Sequence, residues 1–283
     1  MKIGVITDCF KLPLDESIKL AGKLGFDGIQ IYATTGEFSP EVLTTERKSE
    51  VRSLLMENHL EISALCGDMG GYGFQIESDN AERTQKTKRI IDLAEEFEVG
   101  VITTHIGVIP ENKDNPRYSV MLDAMCKCGE YAADKKITLA IETGPEKAST
   151  LLSFLQDTNG GIGVNLDPAN LRMVSCVDPV HAVEVLGRYI VHTHAKDGIN
   201  LFPGSAAAAY GMVNPDGTKR DLGVEPARYK EVPLGQGQVP WDGYLAALKK
   251  IGYDGFLTIE RECGDDPAGD IRLAQKFLLE KLG

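Results

Sequence analysis

Along the chain, short apolar runs rich in β-formers alternate with longer stretches whose apolar residues recur at helical spacing. Ile3–Thr7 is a run of the first kind. Leu14–Leu24 is one of the second, with Leu14, Ile18, Leu20, Ala21 and Leu24 approximating one helix face. Gly25-Phe-Asp-Gly28 turns the chain into a second strand, Gly28–Tyr32. Ser39-Pro40 predicts a helix that runs to about Asn58, with Ser39 as N-cap and proline at the first helical position. Leu60–Cys66 is a third strand, Asn80–Glu98 a helix and Val101–Ile106 a fourth strand. A helix over Arg117–Lys135 leads to the fifth strand, Ile137–Glu142. Strands over Ile162–Asp167 and Tyr189–His194 follow, each after a helical stretch, the second of which is Pro179–Leu186. Trp241–Ile251, Phe256–Glu260 and Asp265–Leu282 close the chain as helix, strand and helix.

Eight successive β-then-α units predict an α/β protein, a (β/α)8 TIM barrel, as one domain over residues 1–283. The competing architecture is an open doubly wound sheet. That sheet would not gather the ends of strands five to eight, whereas a barrel turns all eight strand C-termini toward one mouth. The rhythm breaks once, in a long segment after strand 7, Gly198–Val239, with two patches rich in Gly and Pro. A loop of this length without clear structure is usually a functional lid or a disordered insert. Leu201-Phe-Pro203 and Ala206–Tyr210 carry apolar surface, so an ordered cover over the mouth that sets substrate size is expected.

Four of the strands end on a metal-binding side chain: Glu142, Asp167, His194 and Glu260. An unpaired carboxylate at the end of a buried apolar strand is costly, so core packing does not explain them. Meeting at one mouth, they make a divalent-cation site. Three oxygens and one imidazole suit Mn²⁺ best, with Mg²⁺ or Co²⁺ as alternatives, and suit zinc less. A carboxylate bound through one oxygen keeps the other for proton transfer, so Glu142 and Glu260 are also the candidate acid and base.

Other residues near these ends have two readings each. In His192-Thr-His194 both imidazoles face the barrel interior. His194 lies nearer the mouth and is the better ligand; His192, one layer deeper, reads as a hydrogen-bonded core residue. Lys196 keeps the same phase and could reach a substrate oxygen, while Asp197 reads as a loop anchor. Asp167 could equally cap a turn, and Asn170 beyond it could hydrogen-bond at the mouth. His105, closing the fourth strand, is either a substrate contact or structural.

Composition narrows the partners. A formal net charge of −12 argues against nucleic acid, which demands a concentrated basic face. The six cysteines show neither disulfide-scaffold nor zinc-ribbon spacing, so reduced thiols in the cytoplasm are expected. Met1–Asp8 does not resemble a signal peptide, and no apolar run approaches the roughly 20 residues of a membrane span. No Gly-rich phosphate loop stands out, which points to an unphosphorylated sugar or polyol derivative; a homo-oligomer stays open.

At these residues the sequence resembles the xylose isomerase-like TIM-barrel superfamily of sugar isomerases and epimerases, over essentially the whole chain. The segments that carry the resemblance are Ala140-Ile-Glu142, Gly163-Val-Asn-Leu-Asp167, His192-Thr-His-Ala-Lys-Asp197, Pro233-Leu-Gly-Gln-Gly237 with Trp241, and Gly252–Glu260. By resemblance to its ketose 3-epimerases, Glu142, Asp167, His194 and Glu260 hold one Mn²⁺-type ion, and the two glutamates act as acid and base. Two positions depart from that pattern. Asn170 stands where many relatives have histidine, and Asn200 where epimerases of free ketohexoses have arginine, which implies a substrate other than tagatose or psicose.

The implied reaction is proton abstraction beside a metal-polarised carbonyl, through an enediolate, ending in epimerisation or aldose–ketose isomerisation. A lyase on the same scaffold, an inosose-type dehydratase or a keto-glycoside-cleaving enzyme, would share the first step. An endonuclease IV-like repair enzyme would need more histidines than the five present. A non-catalytic sugar-binding barrel would have no use for an intact ligand set.

Overall fold

Strands covered on both faces need continuous apolar runs, and Val5, Ile29, Leu65, Ile102, Leu139, Val164 and Leu257 are all completely buried. They belong to β1 (Lys2–Ile6), β2 (Gly28–Tyr32), β3 (Glu61–Cys66), β4 (Val101–Thr104), β5 (Thr138–Glu142), β6 (Ile162–Leu166) and β12 (Phe256–Ile259). With β7 (Ile190–Ala195) these strands form a closed parallel barrel in the order β1-β2-β3-β4-β5-β6-β7-β12, and β12 returns to pair with β1. The open-sheet alternative is thereby excluded. This computed structural model describes residues 1–202, 210–220 and 228–283.

Helices pack around the barrel: α1 (Leu14–Leu24), α2 (Thr45–Glu57), α3 (Glu77–Glu96), α4 (Pro116–Asp134), α5 (Ala148–Asp157), the single turn α6 (Pro168–Asn170), α7 (Pro179–Leu186), α8 (Trp241–Lys250) and α9 (Pro267–Leu282). No helix among the described residues is long and apolar enough to cross a membrane.

Two helix starts differ from the sequence expectation. The helix predicted from Ser39-Pro40 begins instead at Thr45, where the Thr44 side chain accepts from the Arg47 amide. Both Ser39 and Thr44 are good capping types. The choice between them is tertiary: the Ser39 carbonyl accepts from the Val42 and Leu43 amides, closing a separate turn that buries Phe38 and Leu43. The helix predicted from Asn80 starts three residues earlier, at Glu77. Its first turn carries Glu77 and Asp79, favourable at the positive end of the dipole, and the Asn80 amide ties it back to the Phe74 carbonyl at 3.1 Å.

The segment after strand 7 has more structure than a loop. β8 (Asp197–Asn200) and β11 (Tyr229–Val232) pair antiparallel as a ribbon at the mouth, and β9 (Met212–Val213) pairs with β10 (Lys219–Arg220). Contrary to the packing expected of Leu201-Phe202, both side chains are exposed. Pro203 and Ala206–Ala209 lie outside the described residues, while Tyr210 reaches the mouth beside His105, ring centroids 5.1 Å apart.

Asp197 anchors this ribbon, as expected. Its buried carboxylate accepts from the amides of Gly198 (2.9 Å), Gly235 (2.9 Å) and Val239 (3.2 Å) and from the Trp241 indole (3.0 Å). The turn through Pro233–Gly237 runs so close that a Cβ at Gly237 would collide with Asp197 Oδ1, which explains the glycine there. Asp197→Ala leaves these donors without an acceptor, and each such buried group costs about 1–3 kcal/mol. The expected outcome is a loss of roughly 3 kcal/mol or more in urea unfolding. An unchanged unfolding midpoint would show that the carboxylate does not hold the ribbon.

Candidate metal centre

The four strand-end side chains predicted to meet do meet. Glu142 is the last residue of β5, Asp167 follows β6, His194 lies in β7 and Glu260 follows β12, on four neighbouring strands. All four are buried, and one ligand atom from each lies within 4.8 Å of the others. His194 Nδ1 stands 3.6 Å from Glu142 Oε2, 3.7 Å from Asp167 Oδ2 and 3.3 Å from Glu260 Oε2.

Local bonds divide each carboxylate between structure and site. Asp167 Oδ1 caps the turn α6 by accepting from the Asn170 amide at 2.8 Å. Its backbone is held by Thr143, whose hydroxyl accepts from the Asp167 amide (2.8 Å) and donates to the Asp167 carbonyl (3.0 Å). Asp167 Oδ2 remains buried with no hydrogen-bond partner. The capping and ligand readings of Asp167 are therefore compatible, one oxygen for each. Glu142 accepts from the amides of Asn170 (2.9 Å, Oε1) and Asn165 (3.1 Å, Oε2), and His105 Nε2 lies 3.4 Å from Oε1. Glu260 accepts from Lys196 Nζ at 3.0 Å, and the same ammonium reaches Glu262 at 2.5 Å.

The electrostatics follow from three buried acids sharing one space. Burial pushes the Asp167 carboxyl up to about 6, against the pull of His194 and Lys196. Burial also penalises the Glu260 carboxylate, but Lys196 and His194 outweigh it and hold the acid down at about 2. Burial opposes ionised Glu142 too; His105 and His194 prevail and keep it well below the usual carboxylate range. Burial works against charge on His194, yet the Glu142 and Glu260 carboxylates raise its affinity for a proton well above normal. A group of acids that recruits a proton onto an imidazole, and leaves one buried oxygen without a partner, fits a cation bound in their midst. The donor set, three carboxylate oxygens and one imidazole nitrogen, fits a Mn²⁺- or Mg²⁺-class ion.

His192 is the core residue expected. Its ring bridges Asn165 Oδ1 and Thr258 Oγ1, each at 3.0 Å, and burial lowers its proton affinity so that it stays neutral. His105, Asn170 and Lys196 all line the mouth cavity. Sequence inspection overlooked Asn165 and Gln30, which touch the ligands, and Tyr32, which lines the cavity; Tyr210, the end of the expected cover, lines it too. The available signal was a lone amide inside an apolar strand, as in Gly28-Ile-Gln30-Ile and Val164-Asn165-Leu. Asn200 turns to the Met173 carbonyl at 2.6 Å and does not line the mouth cavity.

Glu146 was also overlooked. It is buried beyond β5 with Oε2 unpartnered, and burial pushes its carboxyl up to about 8 despite the pull of His105. A raised acid holds its proton in the folded protein while the unfolded chain loses it near 4.5. Its contribution is therefore neutral below pH 4.5 and destabilising progressively up to pH 8, by an amount on the order of a few kcal/mol. Glu146→Gln should raise thermal stability at pH 8 with little effect at pH 4.5. Parallel stability profiles for variant and wild type would contradict a protonated Glu146.

A family model for the xylose isomerase-like TIM barrel matches residues 18–281. Fructoselysine 3-epimerase of Shigella flexneri is 24% identical, covering 92% of this chain and 90% of its own. A xylose isomerase domain protein of Planctomyces limnophilus superposes with a TM-score of 0.77 at 26% identity, covering 99% of this chain and 96% of its own. A xylose isomerase-like TIM-barrel protein of Mycobacterium smegmatis, solved in complex with magnesium, superposes with a TM-score of 0.72 at 17% identity, over 99% and 96% of the two chains.

Proposed function

This chain belongs to the xylose isomerase-like TIM-barrel family, and we propose that it is a divalent-metal-dependent isomerase or epimerase of a sugar or sugar derivative. The observation that carries the proposal is the pair of buried, ionised glutamates, Glu142 and Glu260, facing one space from β5 and β12, with two strands between them in the barrel. A divalent cation held by Glu142, Asp167, His194 and Glu260 would polarise a substrate carbonyl and acidify the neighbouring C–H; Mn²⁺ suits the donors best, and Mg²⁺ or Co²⁺ also fits.

The residues of the chain supply the rest. Glu142 and Glu260 each hold a carboxylate at neutral pH, so either can accept the carbon-bound proton. The substrate becomes an enediolate, and Lys196 and His105, which line the mouth beside Glu260 and Glu142, are placed to face such an anion. Approach from β5 and from β12 gives the two glutamates different sides of the substrate. Delivery of a solvent-derived proton by the second glutamate to the opposite face of the same carbon gives the epimer, the first glutamate releasing the abstracted proton to solvent. Return of a proton to the adjacent carbon gives the isomer. Asn170, which holds Glu142, is also near enough to the mouth to bind a hydroxyl, and Tyr210 of the ribbon segment limits the space above it. With Asn200 engaged elsewhere, a free ketohexose lacks the arginine contact, and an unphosphorylated sugar or polyol derivative in the cytoplasm is the substrate class we favour.

Lys196 favours a second reading, a lyase. Its ammonium stands 3.0 Å from Glu260, where it could protonate a departing hydroxyl, a step that epimerisation does not need.

Incubation with Mn²⁺ and a panel of sugars and keto-sugars in D₂O tests both. Deuterium at one carbon without loss of mass is the expected outcome, and loss of one water would move the assignment to the lyase. With metal bound, Glu142→Gln and Glu260→Gln should each reduce turnover by about 10²–10⁴-fold. Near wild-type turnover in either variant would remove that glutamate from the chemistry. Asp167→Asn should weaken Mn²⁺ binding at least about tenfold, and full retention of metal by both Asp167→Asn and Glu142→Gln would sink the centre.

A further inference from the structure

Gln30 lies across the barrel from the ligand strands, in the middle of β2 between Ile29 and Ile31, with its side chain buried. Its amide reaches two partners. Nε2 donates to Thr103 Oγ1 at 3.1 Å, and Oε1 stands 3.2 Å from His194 Nε2. A buried glutamine in a barrel layer normally filled by branched aliphatic residues sacrifices packing and must satisfy its amide, so its retention calls for a reason.

The reason lies in the two ends of the His194 ring. Nδ1 is turned to Glu142, Asp167 and Glu260, all within 3.7 Å. Only a bare Nδ1 lone pair can join those carboxylates on a cation, which puts the ring proton on Nε2. That proton needs an acceptor. Asn165 Nδ2 is also close, at 3.2 Å from Nε2 and 3.4 Å from Nδ1, but an amide nitrogen donates, and it already donates to Glu142 Oε2. Nearly equal distances to both ring nitrogens also place it along neither lone pair. Gln30 Oε1 is the acceptor that remains in contact with Nε2 among the described residues.

We infer that Gln30 is a positioning residue of the metal centre, holding His194 as the Nε2–H tautomer so that Nδ1 is presented to the ion. Gln30 also borders the mouth cavity, but its contact with the four-ligand cluster runs through His194. A ligating histidine is generally oriented by the acceptor on its far nitrogen, and loss of that acceptor typically costs about 10–100-fold in metal affinity. Here the acceptor comes from a strand on the opposite side of the barrel. The centre is therefore braced across the barrel's width.

The inference rests on the four-ligand centre proposed above, and the experiment separates the two. Mn²⁺ affinity is measured by calorimetric titration of wild type, Gln30→Leu and Gln30→Glu. Gln30→Leu removes the acceptor at similar volume and should bind about 10–100-fold more weakly. Gln30→Glu restores an acceptor oxygen and should bind within a few-fold of wild type or more tightly. In the Mg²⁺-loaded wild type labelled with ¹⁵N-histidine, long-range ¹H–¹⁵N correlation should show His194 protonated at Nε2, with the signal assigned by its loss in His194→Gln. Wild type that binds no Mn²⁺ would overturn the centre itself. Gln30→Leu binding within twofold of wild type, or His194 protonated at Nδ1, would overturn the role of Gln30 alone. The wild-type spectrum decides the matter even if the leucine variant fails to fold.

Discussion

Three buried carboxylates held within 4.8 Å of one another at the barrel mouth repel strongly, and the surrounding structure is arranged to contain that repulsion. His194 stands between them, Lys196 neutralises Glu260 from one side, and His105 approaches Glu142 from another. Asn165 and Asn170 donate to Glu142 without adding charge. Beneath the ligands, a barrel layer that would ordinarily be aliphatic holds Gln30, Thr103, Asn165, His192 and Thr258 instead. Their bonds are mutual: His192 bridges Asn165 and Thr258, and Gln30 links Thr103 to His194. A network of this kind is stable only when nearly every member is satisfied. The one buried ligand oxygen left out, Asp167 Oδ2, belongs to the group of acids that most lacks positive charge.

The arrangement assigns each oxygen a separate duty. Asp167 spends Oδ1 on the turn that follows β6, and that turn in turn delivers Asn170 to Glu142. Glu260 shares its lysine with Glu262 at the cavity edge, so its carboxylate is fixed by a cation that also lines the mouth cavity. Ligand positions set in this way do not depend on the ion to assemble them, which lowers the cost of ordering the site on binding.

What could be read from the sequence follows from how local each determinant is. A carboxylate or imidazole closing an apolar strand is visible within six residues, and all four such ends converge as expected. The Asp197 anchor was legible for the same reason, since it sits directly after the ligand strand. The start of α2 was not, because Ser39 and Thr44 are equally good caps and burial of Phe38 and Leu43 decides between them. The ribbon was missed because β8 and β11 are four residues each and lie far apart in the chain, so neither has a periodicity that identifies it alone. Gln30 and Asn165 escaped because a single amide in a strand looks alike whether it braces a ligand or fills a layer.

The ribbon and the candidate metal ligands are not independent modules. Asn200, at the end of β8, donates to the Met173 carbonyl at 2.6 Å, inside the π-helical turn Leu171–Ser175 that continues directly from α6. Insertions of this helical type are found mostly at functional sites. The preceding turn α6 is capped by Asp167 and carries Asn170, so only a handful of covalently linked residues separate the ribbon's contact at Met173 from two groups of the centre. Asp197 holds the other end of that ribbon and is three residues beyond His194. The part of the mouth suited to selecting a substrate is thus tied at both ends to the part suited to holding a cation. A change of substrate preference by altering the ribbon would then be tolerated most easily at positions such as Leu201 and Phe202, which are exposed, and least at Asn200.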